Sequence, residues 1–201
     1  MVSDSGWNFV VADASQLEPR ILAALSGDRG MAEAGRSKDM YAAIVDSGAV
    51  ATRAEAKVAM LGAMYGATTG ESGRLMPKLT RAYPRAIALV EQAARAGERG
   101  EIVTTRLGRS SPHPNAQWRA AQGEAYGETA TDAEQRRARS QARSWGRFTR
   151  NFVVQGSAAE WALCWMAILR QKLHELSGST WLTDAPHLVL FMHDELVVHC
   201  P

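Results

Sequence analysis

Acidic side chains stand at the ends of two apolar runs that lie far apart in the sequence. Asp13 follows the run 9–12, and His193, Asp194 and Glu195 interrupt the run 188–198. A carboxylate at the tip of a buried strand is costly unless it is paired, hydrogen-bonded or bound to a metal. Asp is also a favoured helix N-cap, which is the simpler interpretation of Asp13. A plain hairpin would place Asn-Gly or Asp-Gly at its turn, so the acidic turn near 194 favours a chemical site.

A stripe of cationic, apolar and aromatic side chains is predicted on one helix. Four residues at steps of four share a face of the helix that the capping-box pattern 52–55 begins: Arg53, Lys57, Leu61 and Tyr65. The cations lie at the helix N-terminus, where the dipole also favours anions. A nucleoside triphosphate has the matching polarity, whereas an amphipathic helix with two snorkelling cations would give the same pattern. Gly62 within this helix predicts a close approach by a neighbour.

A row of hydrogen-bond donors is predicted on a second helix. Arg147, Asn151 and Gln155 follow at steps of four and share one face. Every base pair presents acceptors in the minor groove, so such a row can hold a duplex without reading its sequence. Three polar residues on a wet face are the alternative, but the apolar residues 152–154 beside them indicate that this helix is partly buried.

Composition restricts the classes of protein that this chain can belong to. Its 201 residues are 46% hydrophobic, which is enough for one domain with a core. We find no run of about 18 apolar residues and no basic-then-apolar leader, so neither a membrane span nor a secretion signal is predicted. Cys164 and Cys200 lack metal-binding spacing, which favours a reduced, cytoplasmic protein.

Charge is distributed unevenly along the chain. Residues 53–155 contain 17 Lys and Arg against 9 Asp and Glu, while the remainder contains 6 against 12. A solvated helical surface could have this distribution. A polyanion bound by the basic middle and metal ions bound by the acidic ends would also account for it.

Apolar periodicity and the positions of Gly and Pro predict the elements that carry these residues. Strands are predicted at 9–12 (buried), 102–105 and on both sides of the turn in 188–198. Helices are predicted at 21–25, 39–45, 52–66, 71–96 (two helices parted near 83–84), 131–155 and 157–176, with loops at 27–30 and 111–127. The structural candidates are Leu75, Leu79, Ile87, Leu89, Val90, Trp161, Leu163, Trp165, Met166 and Leu169.

Four motifs, in this order, resemble those of family A DNA polymerases, the DNA polymerase I group. Residues 13–20, Asp-Ala-Ser-Gln-Leu-Glu-Pro-Arg, resemble the family's Asp-Tyr-Ser-Gln-Ile-Glu-Leu-Arg, and Arg53-x3-Lys57-x7-Tyr65-Gly66 resembles its nucleotide-binding fingers helix. Residues 155–160, Gln-Gly-Ser-Ala-Ala-Glu, resemble Gln-Gly-Thr-Ala-Ala-Asp, and His-Asp-Glu at 193–195 resembles the third motif. The resemblance spans nearly the whole chain.

The fold that this resemblance implies is α+β, a right-hand polymerase core lacking the thumb. A small antiparallel palm sheet is expected from 8–13 and 187–200, supported by the helices of 146–176. The implied domains are a first part of the palm at 1–25, helical nucleotide-binding fingers at 26–145, and a second part of the palm at 146–201. The family places a thumb before its first motif and more palm after its third, so a fragment without an exonuclease domain is expected.

The function implied is template-directed DNA synthesis with two Mg²⁺ ions. The metal ligands would be Asp13, the backbone carbonyl of Ala14, and Asp194. The resemblance assigns catalysis to Asp13, Asp194, Glu195 and Lys57; nucleotide binding to Gln16, Glu18, Arg53, Lys57, Leu61 and Tyr65; and DNA binding to Arg147, Asn151, Gln155 and His193. The partners would be primer–template DNA and deoxynucleoside triphosphates, with no membrane.

Three departures from the family pattern bear on these roles. Ala14 replaces Tyr, Leu61 stands where the family has an aromatic residue beside the sugar, and Ser110-Ser111 replaces part of an Arg-rich run. Single-subunit phage-type RNA polymerases share much of the pattern, although Glu18 in the first motif favours deoxynucleotides. A catalytically silent nucleic-acid-binding fragment is the alternative from another class.

Overall fold

The computed structural model describes residues 1–67, 69–125, 127, 129–177, 181 and 184–201. They form two compact units, one made of residues 1–17 with 158–201 and the other of residues 18–157. The fold is rich in helix and contains a small antiparallel sheet, as the resemblance predicts. The assignment of palm and fingers to particular residues stays a prediction.

The first unit contains a three-stranded antiparallel sheet. Its strands are β1 (Asn8–Asp13), β2 (His187–Met192) and β3 (Glu195–Cys200), in the order β1-β3-β2. The central strand β3 is the buried one, with Leu196, Val197 and Val198 withdrawn from solvent. Both predicted segments of the sheet therefore form strands, and β2 and β3 make the predicted hairpin.

The predicted burial of β1 is wrong. Val10 and Val11 are 52% and 57% exposed, although they lie in the middle of an apolar run. The reason is that β1 is an edge strand, paired on one side with β3. Two adjacent residues of a strand point to opposite faces, so neither face of β1 is well covered by the described residues of this unit.

The second unit consists of helices. The helices are α1 Leu17–Ser26, α2 Arg29–Ala34, α3 Met40–Asp46, α4 Arg53–Tyr65, α5 Gly70–Ala82, α6 Pro84–Glu98, α7 Ala116–Ala125 and α8 Asp132–Ser177. The first residue of α1 and the part of α8 after residue 157 belong to the first unit. The apolar faces of α1 to α6 and of α8 make one core, whose fully buried members include Leu22, Met40, Ile44, Met60, Met64, Leu75, Leu79, Val90 and Val154. The structural candidates between 75 and 90 are confirmed, with Leu89 only partly buried.

Two predicted loops contain helices because a side chain caps each one. Asp28 accepts the N–H of Met31 at 3.1 Å, so α2 begins inside the predicted loop 27–30. Asn115 accepts the N–H of Trp118 at 2.9 Å and begins α7 inside the predicted loop 111–127. Both are the capping interactions that Asp and Asn favour.

The predicted strand 102–105 is wrong. Thr104 forms a single antiparallel bridge with Ser110, and the chain reverses through Gly108 at a positive φ of 97°. The hydroxyl of Ser111 accepts the N–H of Val103 at 3.1 Å, and Thr105 accepts that of Arg109 at 3.0 Å. Two backbone hydrogen bonds, from the N–H of Thr105 to the carbonyl of Arg109 at 2.9 Å and from the N–H of Ser111 to the carbonyl of Val103 at 2.8 Å, join the two sides of this turn as well.

The helices predicted at 131–155 and 157–176 are one continuous helix, α8. Gly156 does not interrupt it. A Cβ at this position would lie 2.7 Å from Cγ2 of Thr105, so glycine here permits a close approach to the 104–110 turn. Trp161 and Leu163 were predicted to be core residues, but they are 42% and 54% exposed.

One stretch of α8 is long and apolar enough, by length and composition alone, to cross a bilayer. Its mean hydropathy is 1.4, and 28% of it is buried. Core helices of soluble proteins also reach this value. The expectation of no membrane span therefore stays a prediction.

Candidate functional site

The acidic segments around Asp13 and Asp194 meet at one end of the sheet. Asp13 is the last residue of β1, and its Cα lies opposite that of Glu195 in the antiparallel register. One residue further on, the N–H of Ala14 donates to the carbonyl oxygen of Asp194 at 2.8 Å. The tight β2–β3 turn consists of His193, at a positive φ of 59°, and Asp194. The structure therefore brings together, at one end of the sheet, the backbone of the five predicted residues Asp13, Ala14, His193, Asp194 and Glu195.

Like charges concentrate at this end of the sheet. Residues directly opposite on antiparallel strands project to the same face, with Cβ atoms about 4.5–5.5 Å apart, and two like charges there repel each other. Asp13 and Glu195 are such a pair, and Asp194 is adjacent in sequence. A bound cation would relieve this repulsion.

The residues at this end fit a Mg²⁺ ion that is shared with a substrate. Within the described part of the chain, no group of three or more His, Cys, Asp or Glu is arranged to hold a metal. Mg²⁺ is usually bound by one or two carboxylates together with waters and substrate phosphates, not by an all-protein cage. Asp13, Asp194 and the carbonyl of Ala14 offer only oxygen ligands, which suit this ion. Metal binding stays a prediction.

The helix α4 presents the predicted stripe to solvent. Thr52 caps it by accepting the N–H of Glu55 at 3.1 Å, and Glu55 in turn accepts the N–H of Ala51 at 2.9 Å. All four stripe residues, Arg53, Lys57, Leu61 and Tyr65, are exposed, while the opposite face of α4 packs into the core. The predicted close approach at Gly62 is confirmed, because a Cβ there would lie 2.7 Å from Cβ of Ser72 on α5.

Arg53 is held at the start of α4 by a carboxylate that the sequence reasoning did not single out. Its Nε lies 2.6 Å from Oδ2 of Asp39, and its guanidinium stands 5.6 Å from the ring centroid of Tyr41. The other oxygen of Asp39 accepts the N–H groups of Tyr41 and Ala42 at the start of α3. Asp39 therefore caps one helix and orients the first cation of the next.

Tyr65 at the other end of the stripe contacts Glu18. Its hydroxyl donates to the carboxylate of Glu18, with oxygen distances of 3.1 and 3.0 Å. Burial, and then the charge and hydrogen bond of Glu18, raise the pKa of Tyr65, whereas a hydrogen bond with Asn151 acts to lower it. Burial and Glu18 also raise the pKa of Tyr41. Three predicted functional residues, from the first motif, α4 and α8, thus meet in one place.

The predicted row of donors lies on α8, and its three side chains differ in their exposure to solvent. Arg147 and Gln155 are exposed and Asn151 is half-buried. The stem of Arg147 lies against Gly66, the left-handed residue that ends α4, where a Cβ would be 2.8 Å from Cγ of the arginine. This contact leaves no room for a side chain at the end of α4.

Two arginines outside the predicted set support the arrangement. Arg150 is buried; it pairs with Glu91 of α6 and donates to the carbonyl of Ala63 on α4 at 3.0 Å. Arg20, the last residue of the first motif, donates to the backbone carbonyls of residues 35, 37 and 38. Both were missed because an arginine within a helical pattern does not reveal whether its partner is solvent or a distant carbonyl.

The remaining predicted residues belong to separate parts of the chain. Gln16 has a positive φ of 57° just before α1 and lies in the first unit with Asp13 and Asp194. Lys57 makes no ion pair with any residue that the structure describes. The stripe on α4, Glu18 and the row on α8 all lie in the second unit. The structure does not test the chemical roles of these residues.

Comparison with known proteins identifies similar sequences over the full chain. A model of DNA polymerase family A matches residues 1–201. The thermostable DNA polymerase I of Thermus filiformis is 27% identical over 223 residues, and that of Thermus thermophilus is 28% identical over 220. DNA polymerase I of Chloroflexus aurantiacus is 28% identical over 220 residues. These alignments cover 100% of this chain but only 23%, 23% and 21% of the three relatives.

A solved structure shares the fold. It is the POL domain of Pol1 from M. smegmatis, in complex with DNA primer-template and dNTP. The TM-score is 0.66 at 23% sequence identity, and the match covers 99% of this chain and 35% of the other. At this level of identity, the likeness concerns the fold alone.

Proposed function

The chain belongs to DNA polymerase family A, and on that premise we propose that it carries the catalytic and nucleotide-binding parts of a DNA-directed DNA polymerase. The reaction would transfer a nucleotidyl group from a deoxynucleoside triphosphate to a primer 3′-hydroxyl under the direction of a template. The observation that carries the proposal is the meeting of two acidic segments, with Ala14 hydrogen-bonded to Asp194 and Asp13 opposite Glu195. The chain spans about 23% of its Thermus relatives, so the activity of the whole protein is part of the proposal.

In this proposal Asp13 and Asp194 bind the metal ions, together with the carbonyl of Ala14. Two Mg²⁺ ions, when bound, lower the pKa of the primer 3′-hydroxyl and neutralise charge on the departing pyrophosphate. The two carboxylates hold the reacting groups in register, and Glu195 adds negative charge opposite Asp13. The substitution of Ala14 for tyrosine is tolerable because a backbone carbonyl does not depend on its side chain.

The helix α4 supplies the nucleotide-binding surface. Arg53 and Lys57 are exposed near its capped N-terminus, where unpaired N–H groups and the helix dipole add to the attraction for a triphosphate. Lys57 would also donate a proton to the departing pyrophosphate, the role that the family resemblance assigns to it. Leu61 and Tyr65, one and two turns further along, would pack against the sugar and base of the incoming nucleotide.

Glu18 would select for a deoxyribose sugar by obstructing a 2′-hydroxyl. Its carboxylate accepts a hydrogen bond from the hydroxyl of Tyr65, so the two side chains would together line one side of the nucleotide site. Asn151 reaches the same tyrosine from α8. Glu18, Tyr65 and Asn151 would define the sugar and base end of the nucleotide site, and Gln16 of the first motif is also assigned to nucleotide binding.

The donor row on α8 and the β2–β3 turn would follow the primer–template duplex. Arg147, Asn151, Gln155 and His193 would contact the minor groove of the duplex, where every base pair presents acceptors. In this assignment residues 1–25 and 146–201 are palm, and 26–145 are fingers. Basic residues predominate in 53–155, which suits contact with a polyanion.

The test of the metal-binding assignment is primer extension by charge-removing variants. Extension would be measured under single-turnover conditions with protein in excess, at about 20 mM salt, where phosphate contacts are strongest. We expect Asp13→Asn and Asp194→Asn to lose at least about 100-fold in rate, equivalent to about 2.7 kcal/mol. Asp184→Asn removes an exposed carboxylate of the same unit and serves as the matched control, with a change of less than about twofold.

Two results would contradict this assignment. Extension that persists within about tenfold in either site variant, a difference of about 1.4 kcal/mol, would exclude these carboxylates from catalysis. Binding of primer–template with no metal-dependent extension under any of these conditions would instead favour the catalytically silent nucleic-acid-binding fragment. Ribonucleotide use equal to deoxynucleotide use would favour the RNA polymerase alternative.

The nucleotide-binding role of α4 has its own test. Arg53→Ala and Lys57→Ala should each weaken deoxynucleoside triphosphate binding about tenfold or more, because each removes a charge-assisted contact. Affinity for primer–template should change much less. Lys78→Ala removes an exposed lysine from α5 and is the control. Equal losses for nucleotide and duplex in the two α4 variants would mean that the stripe is a general DNA-binding surface.

A further inference from the structure

Three arginines continue the donor row toward the N-terminus of α8. Arg136, Arg139 and Arg143 precede Arg147 at steps of three, four and four, so they lie on nearly the same face of the helix as the row. All three are exposed and belong to the second unit, and we call them the arginine extension. Together with the donor row the extension covers residues 136–155, which is about 28 Å along the helix axis at about 1.5 Å per residue.

Carboxylates do not neutralise the charges of the arginine extension. None of its members makes an ion pair with a residue that the structure describes, although Asp132 stands four residues before the first of them. The other acid of this stretch, Glu134, turns back to cap α8, where its Oε2 accepts the N–H of Thr131 at 2.7 Å. Arg139 donates to the neutral side chain of Gln135 at 3.2 Å, which leaves its charge uncompensated.

Like charges at these spacings repel one another along the helix. Residues three and four apart are neighbours on a helix surface, and like-charged neighbours destabilise it. Other exposed arginines of this unit pair with carboxylates, as Arg36, Arg74 and Arg99 do. A ligand with regularly spaced negative charges relieves the repulsion at every step of the extension, and DNA carries one phosphate per about 3.4 Å of each strand. The arrangement therefore favours a polyanionic partner.

The chemical type of the donors changes along this face of α8. The amides of Gln155 and Asn151 suit the edges of bases, whereas from Arg147 to Arg136 every member is a guanidinium, which only donates and matches the oxygens of phosphate. A straight helix cannot follow the minor groove, because the groove turns once in about 34 Å. One end of a face about 28 Å long therefore leaves the groove and meets the sugar–phosphate backbone. The arginines stand at the end that suits phosphates.

We propose that the arginine extension binds the phosphate backbone of the primer–template, beside the minor groove that the donor row contacts. This rests on the proposed function for the identity of the nucleic acid. Arg136, Arg139 and Arg143 are positioning residues, since phosphate contacts fix the register and orientation of a duplex and carry no sequence information. The phosphates belong either to the duplex or to the unpaired template strand next to it, which share the same chemistry.

The test is equilibrium binding of labelled primer–template to the full chain, measured by fluorescence anisotropy in EDTA without triphosphate, at salt concentrations from about 20 to 200 mM. Arg136→Gln, Arg139→Gln and Arg143→Gln each remove one charge and keep a good helix former. Each variant should bind about three- to tenfold more weakly at about 100 mM salt, and the slope of log affinity against log salt should become shallower by about 0.9. The loss should be the same for duplexes rich in A·T and rich in G·C, because phosphates do not report sequence.

Two comparison variants separate a phosphate contact from other effects. Arg137→Gln removes an exposed arginine that is adjacent in sequence to Arg136 but stands about 100° further around the helix, so the salt slope should change by less than about 0.3. Gln155→Ala removes a neutral donor of the row, so affinity should fall with the salt slope unchanged. The thermal unfolding midpoints of the three extension variants should be unchanged or raised, because each substitution relieves repulsion between like charges.

The choice of DNA probe identifies the strand that the extension contacts. Each variant is titrated with a blunt duplex and with the same duplex carrying a 5′ overhang of the template strand. Equal losses of affinity for the two probes identify the phosphates of the duplex. A loss confined to the probe with the overhang identifies the phosphates of the unpaired template strand.

Three results would overturn the inference. They are a salt slope that stays the same in all three extension variants, an equal change of slope in Arg137→Gln, and no binding of either probe by the unsubstituted chain at about 20 mM salt. The second would show that net charge acts at a distance without a contact at these arginines. Failure of the metal-dependent primer extension described above leaves these outcomes unchanged, because the titration contains neither metal nor triphosphate.

Discussion

The contact between α6 and α8 gives the sharpest test of how the donor row on α8 is positioned. Gly97 of α6 faces Thr149, which is fully buried and donates its hydroxyl to the carbonyl of Ala93 at 2.7 Å. A Cβ at Gly97 would lie 2.0 Å from Oγ1, 2.8 Å from Cγ2 and 2.9 Å from Cβ of Thr149. Because threonine is short and branched, rotation cannot clear all three contacts, and the helices must move apart.

The size of the effect follows from two opposing contributions. Alanine is favoured over glycine in a helix by about 1 kcal/mol. Overpacking a core costs about 1–3 kcal/mol, and the 2.0 Å contact places Gly97→Ala at the upper end. We therefore expect Gly97→Ala to lower the free energy of unfolding by about 2 kcal/mol. Gly123 lies in α7, and a Cβ added there would have no neighbour within 4 Å. Gly123→Ala should therefore raise the free energy of unfolding by up to about 1 kcal/mol.

Urea unfolding of both variants and of Gly97→Ala/Thr149→Ala would measure these differences. The double variant removes the two atoms nearest the new methyl, so a double-mutant cycle should show a coupling of at least about 1 kcal/mol. The remaining 2.9 Å contact needs only a shift of a few tenths of an ångström. Equal stability of Gly97→Ala and Gly123→Ala, or a cycle with no coupling, would refute the close packing of α6 on α8.

Three further predictions concern charge and pH. Arg150→Met should lower the free energy of unfolding, measured in urea titrations, by about 2–3 kcal/mol. The loss is smaller than for a fully buried ion pair because Glu91 is 40% exposed. A loss below about 0.5 kcal/mol would contradict the buried role of Arg150. Burial raises the pKa of Tyr41, Tyr65 and Tyr83 above 10.0, so the folded state holds these protons more tightly than the unfolded state. That stabilisation is complete below about pH 10 and lost as pH rises through the folded pKa values; an unfolding midpoint that stays constant to about pH 11 would count against it. At about 150 mM salt the chain alone should bind primer–template weakly and extend it poorly, and robust extension abolished by Asp194→Ala would show otherwise.

The parts of the site that depend on local sequence could be predicted. The acidic strand ends near Asp13 and Asp194 follow from apolar runs interrupted by carboxylates, and both segments do form strands. The stripe on α4 follows from steps of four and a capping threonine, which the structure reproduces. For α4 and the β2–β3 hairpin, the interactions that define the element lie within a few residues along the chain, whereas β1 pairs with the distant strand β3.

The parts that depend on distant contacts could not be predicted. Asp39 has the sequence context of a helix cap, but its second oxygen binds Arg53, 14 residues away. Arg150 is one of many arginines in its stretch, and its burial depends on a carbonyl 87 residues away. Burial of β1 was predicted from apolar content, yet content does not distinguish an edge strand from a central one.

If α4 binds a triphosphate as proposed, Arg53 must exchange the carboxylate of Asp39 for a phosphate. A triphosphate arriving at α4 would displace a resident carboxylate, not a shell of loosely held counterions, and Asp39 would regain water while still capping α3. Added salt screens the resident pair and the incoming pair alike, so the two effects offset each other at this arginine. Lys57, which has no carboxylate partner among the described residues, would then account for most of the salt dependence of nucleotide binding.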